Sequence, residues 1–261
     1  MYQNCFIFFT NSDKQPRFGL LHSGAKKHNS VVLRPERVDQ VLTRRRYHVV
    51  FDLNGVLVRR GAFVKNQPRD IHVRPGCSEL LNWVQKNATL SFWSSVTSRN
   101  MADIMSKLRK SGVRISESSI CLFQSSCISS DTAGQSSSEQ SQVTNFNEAK
   151  TIFLKDLQLY TKKAKLDSWT DVLLVDDSLI KCVMNDAFSA VHPPSWAGCI
   201  WDTFLQGHLQ PWLARLLESN EDVPDFVRHN PLPDGQLPLS RSDPVALIVV
   251  KNAKVRPVSN L

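Results

Sequence analysis

Two apolar runs in this chain end on carboxylates. Tyr47-His48-Val49-Val50-Phe51 leads into Asp52-Leu53-Asn54-Gly55, and Val172-Leu173-Leu174-Val175 leads into Asp176-Asp177-Ser178. A third run, Ala88 to Trp93, ends on Ser94 and Ser95 with Thr97 just beyond, and Lys155 opens a later Lys155-Asp156-Leu157 string. Together these residues are the parts of a Mg²⁺-dependent phosphoryl-transfer site. Carboxylate and carbonyl oxygens suit the hard Mg²⁺ ion, which binds phosphate along with one or two protein carboxylates. A carboxylate can also attack phosphorus to give an aspartyl-phosphate. A hydroxyl and an ammonium set against the phosphoryl oxygens offset the charge that spreads over them during transfer. Each residue taken alone has a plainer reading: Asp52 to Gly55 as a turn, Asp176-Asp177 as a helix N-cap, Lys155 as a surface lysine and Ser94 as a turn hydroxyl.

Functional residues of this kind need a scaffold that brings strand ends together. The runs before Asp52 and Asp176 are rich in Val, Leu and Phe without alternating polar residues, as buried strands of a parallel sheet are. In open α/β sheets ligands bind beyond the carboxyl ends of such strands, where Asp52, Ser94, Ser95, Asp176 and Asp177 would all lie. Helices are predicted from Pro75-Gly76-Cys77, with apolar positions 80, 81, 83 and 84, and over Met101, Ile104, Met105 and Leu108, closed by Gly112. A short helix is predicted after Lys155, and another over Gly207 to Glu218. Ser118 to Phe123 and Phe188 to His192 read as further strands, and Gly61 to Pro75 as short and irregular. The expected organisation is a basic, loosely ordered extension over 1–45, an α/β domain over 46–219 interrupted by a Ser-rich loop at 125–142, and a Pro-rich polar tail over 220–261.

With 261 residues, 41% of them hydrophobic, the chain can bury one substantial core. The longest apolar stretches, Cys5 to Phe9 and Val245 to Val250, fall far short of the roughly 20 residues of a membrane span, so none is predicted. Six cysteines without a Cys-x-x-Cys pair read as reduced intracellular residues rather than zinc ligands or disulfides. The net charge of +8 is regional, because nine basic against three acidic side chains precede Asp52. The run Arg44-Arg45-Arg46 lacks interleaved aromatics and reads as a solvated face rather than a nucleic-acid contact.

The order of these strings carries more information than any one of them. Asp52-Leu53-Asn54-Gly55-Val56-Leu57-Val58, then Arg74-Pro75-Gly76, Phe92-Trp93-Ser94-Ser95, Lys155-Asp156-Leu157 and Val175-Asp176-Asp177-Ser178 resemble the haloacid dehalogenase superfamily. Within it they resemble the branch of RNA polymerase II carboxyl-terminal-domain phosphatases, small carboxyl-terminal-domain phosphatases and the presequence-receptor subunit of the mitochondrial inner-membrane translocase, its land-plant members most of all. The resemblance implies a Rossmann-like α/β fold, with a central parallel sheet, helices on both faces and no large cap. It implies that Asp52 is the nucleophile and a Mg²⁺ ligand, and that Asn54 offers its backbone carbonyl to the metal. By the same resemblance Ser94, beside Ser95, binds phosphate, Lys155 holds the transferred phosphoryl group, and Asp177, supported by Asp176, completes the metal site. A capless site implies a phosphoprotein or peptide segment as partner.

One position departs from the family. Where Asn54 stands, active members carry a second Asp that protonates the leaving oxygen and then activates water, and a carboxamide does neither. Two functions are therefore expected: a slow Mg²⁺-dependent phosphatase of phosphoserine or phosphothreonine segments, or a catalytically silent domain that binds a peptide in the same cleft, as the presequence receptor does. The absence of a span before Asp52 counts against the translocase role. The expected address is intracellular, with nucleus or cytoplasm ahead of the mitochondrion.

Overall fold

The computed structural model describes residues 45–62, 69–131, 151–240 and 242–254. In chain order these form β1 (His48–Phe51), a hairpin of β2 (Val58–Arg60) and β3 (Ile71–Val73), α1 (Cys77–Asn87), β4 (Thr89–Trp93), α2 (Ser98–Lys110), β5 (Cys121–Leu122), β6 (Ile128–Asp131), β7 (Thr151–Leu154), α3 (Leu157–Ala164), β8 (Val172–Val175), β9 (Ala190–Val191), α4 (Gln210–Ser219), α5 (Val223–His229), α6 (Pro244–Lys251) and β10 (Ala253–Lys254). The central sheet has the order β5-β4-β1-β8-β9 with all pairings parallel. This is the expected α/β architecture, and β1, at its centre, ends on Asp52.

Alternation along the central strands builds two cores. Val49, Phe51, Leu173 and Val175 pack with α1, α2, α4 and α5 through Leu80, Ile104, Leu213 and Phe226. Val50, Val172 and Leu174 point the other way, onto Leu157 and Tyr160 of α3. Because both faces are covered, these strands contain no polar alternation, which is why they read from sequence as uninterrupted apolar runs. The Met101, Ile104, Met105 and Leu108 stripe of α2 is buried as its spacing predicts.

Several expectations are corrected. Gly61 to Pro75 is not wholly irregular, since β3 pairs antiparallel with β2, Val73 opposite Val58. The Ser-rich segment is not loop from its start: β6 occupies Ile128–Asp131 in a small antiparallel sheet of order β10-β6-β7. There the buried Ser130 hydroxyl donates to the Val249 carbonyl at 2.7 Å, so a serine sits in the interior without an orphaned polar group. Residues 132–142 of that segment lie outside the described residues, as does the 1–45 extension except for Arg45, which is ion-paired with Asp171 and Asp222.

Two helices lie within the segment expected as a Pro-rich polar tail. Val223, Phe226 and Val227 of α5 join the main core, and Ala246 and Val249 of α6 are buried. Pro224 and Pro244 stand in the first turns of α5 and α6, where a missing N–H costs nothing, so prolines that look like chain breakers are helix starts. The strand expected over Phe188 to His192 is reduced to β9 behind a 3₁₀ turn at Ala187–Ser189. Cys77, Cys121, Cys127, Cys182 and Cys199 are all free thiols. Among the described residues, no helix is long and apolar enough to cross a membrane.

Candidate active site

β1 and β8 are neighbours in register, Phe51 opposite Val175, so the residues that follow them emerge side by side. One carboxylate oxygen from each of Asp52, Asp176 and Asp177 lies within 4.8 Å of the others. Asp52 and Asp176 are buried and Asp177 half-buried. On the other side of β1, Phe51 pairs with Phe92, which sets Asp52 abreast of Trp93 and places buried Ser94, with half-buried Ser95, just past the end of β4.

Lys155 is the first of the two residues between β7 and α3, and both of its flanks are fixed. Asp156 caps α3 by accepting from the Gln158 N–H at 2.9 Å. The Lys155 N–H donates to the Lys181 carbonyl at 2.8 Å. Buried Asn185 accepts from the Leu157 N–H and donates to the Lys155 carbonyl, both at 2.7 Å. From this base the fully buried ammonium donates to Asp52 Oδ1 at 3.0 Å and to Asp176 Oδ2 at 2.5 Å. Burial pushes the Lys155 ammonium towards deprotonation, but the Asp176 and Asp52 carboxylates outweigh it and hold the pKa above that of an ordinary lysine.

A second ammonium was not anticipated. Lys181, in the 3₁₀ turn Leu179–Cys182 after Asp176-Asp177, reaches Asp52 Oδ2 at 3.3 Å and Asp176 Oδ1 at 3.4 Å. It lies five residues beyond Asp176, a spacing that marks no regular element, so only its basic type hinted at a role. Asp176 is held below the usual carboxylate range: burial opposes ionisation, and Lys155, Lys181 and the Ser178 N–H overcome it. Asp177 is shifted the other way, upwards, by burial and by the neighbouring Asp176 charge against the Ser195 hydroxyl that bonds it.

The turn after Asp52 is shaped around Asp177. Gly55 has φ +92, and a Cβ there would lie 2.0 Å from Asp177 Oδ2 and 2.9 Å from Ser195 Oγ. The Gly55 carbonyl accepts from the Trp196 N–H at 2.7 Å. Buried Arg74, noticed in the sequence only as part of a string, joins the same loops: it donates bidentately to Asp202 at 2.8 and 3.0 Å and to the Val56 and Pro194 carbonyls at 3.2 and 3.3 Å. Gly55→Ala is therefore expected to displace the Asp177 carboxylate and weaken divalent-cation binding at least tenfold, with a stability cost of about 1–2 kcal/mol for the left-handed residue. Mg²⁺ titration followed by calorimetry and by thermal melting checks both.

Asn54 stands apart from the cluster. It is exposed, and its Oδ1 accepts from the Arg60 N–H at 3.2 Å. Asp52, Lys155, Asp176 and Asp177 are thus brought together, Ser94 and Ser95 sit at the adjacent strand end, and the Asn54 side chain is tied to β2.

The donor set fits a hard divalent cation. It offers oxygens only, and its three carboxylates exceed the two ammonium groups by one charge. Asp52 with Asp176 and Asp177 would hold such an ion, on the face that partly exposed Lys181 borders.

A parallel α/β sheet whose central strand delivers an aspartate to a second acidic strand end and a buried lysine is the arrangement of a haloacid dehalogenase-type phosphatase domain. The family model of the NLI interacting factor-like phosphatases matches residues 47–224, and the chain belongs to that family. Two solved structures are similar at low identity. One is fission yeast RNA polymerase II CTD phosphatase Fcp1-R271A bound to beryllium fluoride, with 10% identity over 74% of this chain and 57% of that one, at a TM-score of 0.40. The other is Fcp1, described as an essential RNA polymerase II CTD phosphatase, with 11% identity over 83% of this chain and 64% of that one, also at 0.40. The chain therefore spans less than two thirds of the length of either. No curated protein matches it.

Proposed function

We propose that this domain is a Mg²⁺-dependent, aspartate-based phosphatase of phosphoserine or phosphothreonine protein segments, slowed in both halves of its cycle by Asn54. The observation that carries the reading is the convergence of the Asp52, Asp176 and Asp177 carboxylates within 4.8 Å, with the Lys155 ammonium buried against two of them. A structural ion pair needs one carboxylate per ammonium, and a third acid in the same cluster suits a bound cation.

In the first half-reaction an Asp52 carboxylate oxygen attacks phosphorus, an O–P bond forms, and the bond to the substrate oxygen breaks, leaving an alkoxide that needs a proton. In the second, water attacks the aspartyl-phosphate, loses a proton, and releases phosphate and free Asp52. Lys155 and Lys181 keep positive charge beside Asp52 throughout, offsetting charge on the phosphoryl oxygens. A divalent cation bound by the three acids would add the further neutralisation that brings a phosphate dianion up to a carboxylate. Asn54, two residues beyond the nucleophile in the chain, has no proton to give or take, so leaving-group protonation and water activation fall to solvent.

A protein segment is favoured over an enclosed metabolite because the described residues between β1 and β4 form only the β2–β3 hairpin and α1. The reading predicts slow hydrolysis of an aryl phosphate and of phosphoserine peptides that requires Mg²⁺ and disappears in Asp52→Asn. Steady-state assays of the two proteins with and without Mg²⁺ test it. Activity that persists in chelator or in Asp52→Asn contradicts it.

A further inference from the structure

Building on the cleft as a phosphoryl-transfer site, we propose that Arg60 is a substrate-binding residue that receives the phosphate monoester beside Asp52. Arg60 closes β2, and its backbone is held on two sides: its N–H donates to Asn54 Oδ1, and it pairs with Ile71 of β3. The Arg60 backbone is therefore held next to the turn that follows Asp52, and the Asp52 charge acts on its guanidinium. Its Nε and Nη1 are buried, yet neither has a hydrogen-bond acceptor among the described residues. Two other arginines of the domain are matched. Arg74 is spent on Asp202 and two carbonyls, and Arg45 on Asp171 and Asp222.

The cations inside the cleft are committed too, Lys155 and Lys181 each lying on both Asp52 and Asp176. Among these groups Arg60 alone has buried donors left open. Burial and the nearby Arg69 charge depress its pKa, and Asp52 raises it, so an arriving anion would supply the counter-charge the surroundings lack. A phosphate dianion carries more charge and more acceptor oxygens than a carboxylate, and suits donors on different edges of one guanidinium.

The test uses the full chain with Mg²⁺ and inorganic phosphate as probe, by calorimetry, for wild type, Arg60→Met and Arg60→Lys. Wild type is expected to bind phosphate, Arg60→Met to bind it at least tenfold more weakly, and Arg60→Lys to fall between, with Mg²⁺ affinity unchanged within about twofold in all three. A thermal melt in phosphate-free buffer adds a readout that a structural role would not give. Replacing unpartnered buried donors by an apolar chain of similar length should leave the melting temperature of Arg60→Met equal to wild type or higher. If Arg60→Met does not fold, Arg60→Lys carries the comparison, and it must lose phosphate affinity while melting normally.

Equal phosphate affinity in wild type and the variants overturns the assignment of Arg60 and leaves the phosphatase reading standing. Failure of the wild type to bind phosphate in the presence of Mg²⁺ overturns both.

Discussion

Asn54→Asp is expected to raise Mg²⁺-dependent turnover of phosphoserine peptides by a factor on the order of 10² or more. General acid–base catalysis is worth about 10²–10⁴-fold, and the second aspartate would act in both half-reactions. The effect should depend on the leaving group. A serine alkoxide needs a proton as it departs, whereas an aryl oxide departs without one, so the first half-reaction should gain more with phosphoserine peptides than with aryl phosphates. The substitution is structurally mild, because Asn54 is exposed and its Oδ1 serves only as acceptor for the Arg60 N–H, which a carboxylate oxygen accepts equally well. Gly after Asn favours deamidation, so the Asn54-Gly55 peptide of every wild-type sample must be shown by mass spectrometry to be intact. If intact wild type and Asn54→Asp are equally inactive on both substrates, the domain is a binding module and the latent-enzyme account is dropped.

Lys155→Met should be the most destabilising substitution in the site, by about 3 kcal/mol or more. Removing one member of a buried ion pair strands its partners, and such changes typically cost about 3–5 kcal/mol. Here the stranded groups would be Asp52 and Asp176, both buried, with only the longer contacts to Lys181 left between them. For a domain of this size the loss corresponds to a fall of roughly 6–12 °C in melting temperature. Saturating Mg²⁺ should recover part of it, because an ion bound by the same carboxylates replaces the missing charge. Thermal melts of wild type and Lys155→Met in chelator and in Mg²⁺ check both statements. A variant that melts like wild type in chelator would mean that the two acids are not both ionised.

How much of this was legible in the sequence follows from how each side chain reaches the cleft. Asp52, Ser94 and Asp176-Asp177 were visible because each follows a run whose apolar character comes from burial on both faces, and such strands can only end at one edge. Lys155 was visible through its place in an ordered set of strings. Lys181, Ser195 and Arg60 were not, and Arg74 only as part of a string without a role, since they arrive from a 3₁₀ turn, loops and a hairpin strand, where no hydrophobic period announces a direction. Their roles depend on contacts between residues far apart in the chain, such as Arg74 with Asp202. The same averaging over composition hid α5: buried Val223, Phe226 and Val227 at helical spacing were outweighed by the surrounding prolines, asparagines and acids. The serine at 130 misled in the opposite direction, being interior by virtue of one hydrogen bond to Val249.

The claim on which the rest depends is that Asp52 is a nucleophile in a working half-reaction. Intact wild-type protein incubated with an aryl phosphate and Mg²⁺ should accumulate a covalent phosphoenzyme, since the aryl group leaves unaided while water lacks a general base for the second step. Acid quenching followed by peptide mass spectrometry should find one added phosphoryl group on the peptide that contains Asp52, dependent on Mg²⁺, absent from Asp52→Asn and short-lived in Asn54→Asp. An Asp52 peptide that stays unmodified under these conditions, or a phosphoryl group found on another residue, would contradict the account.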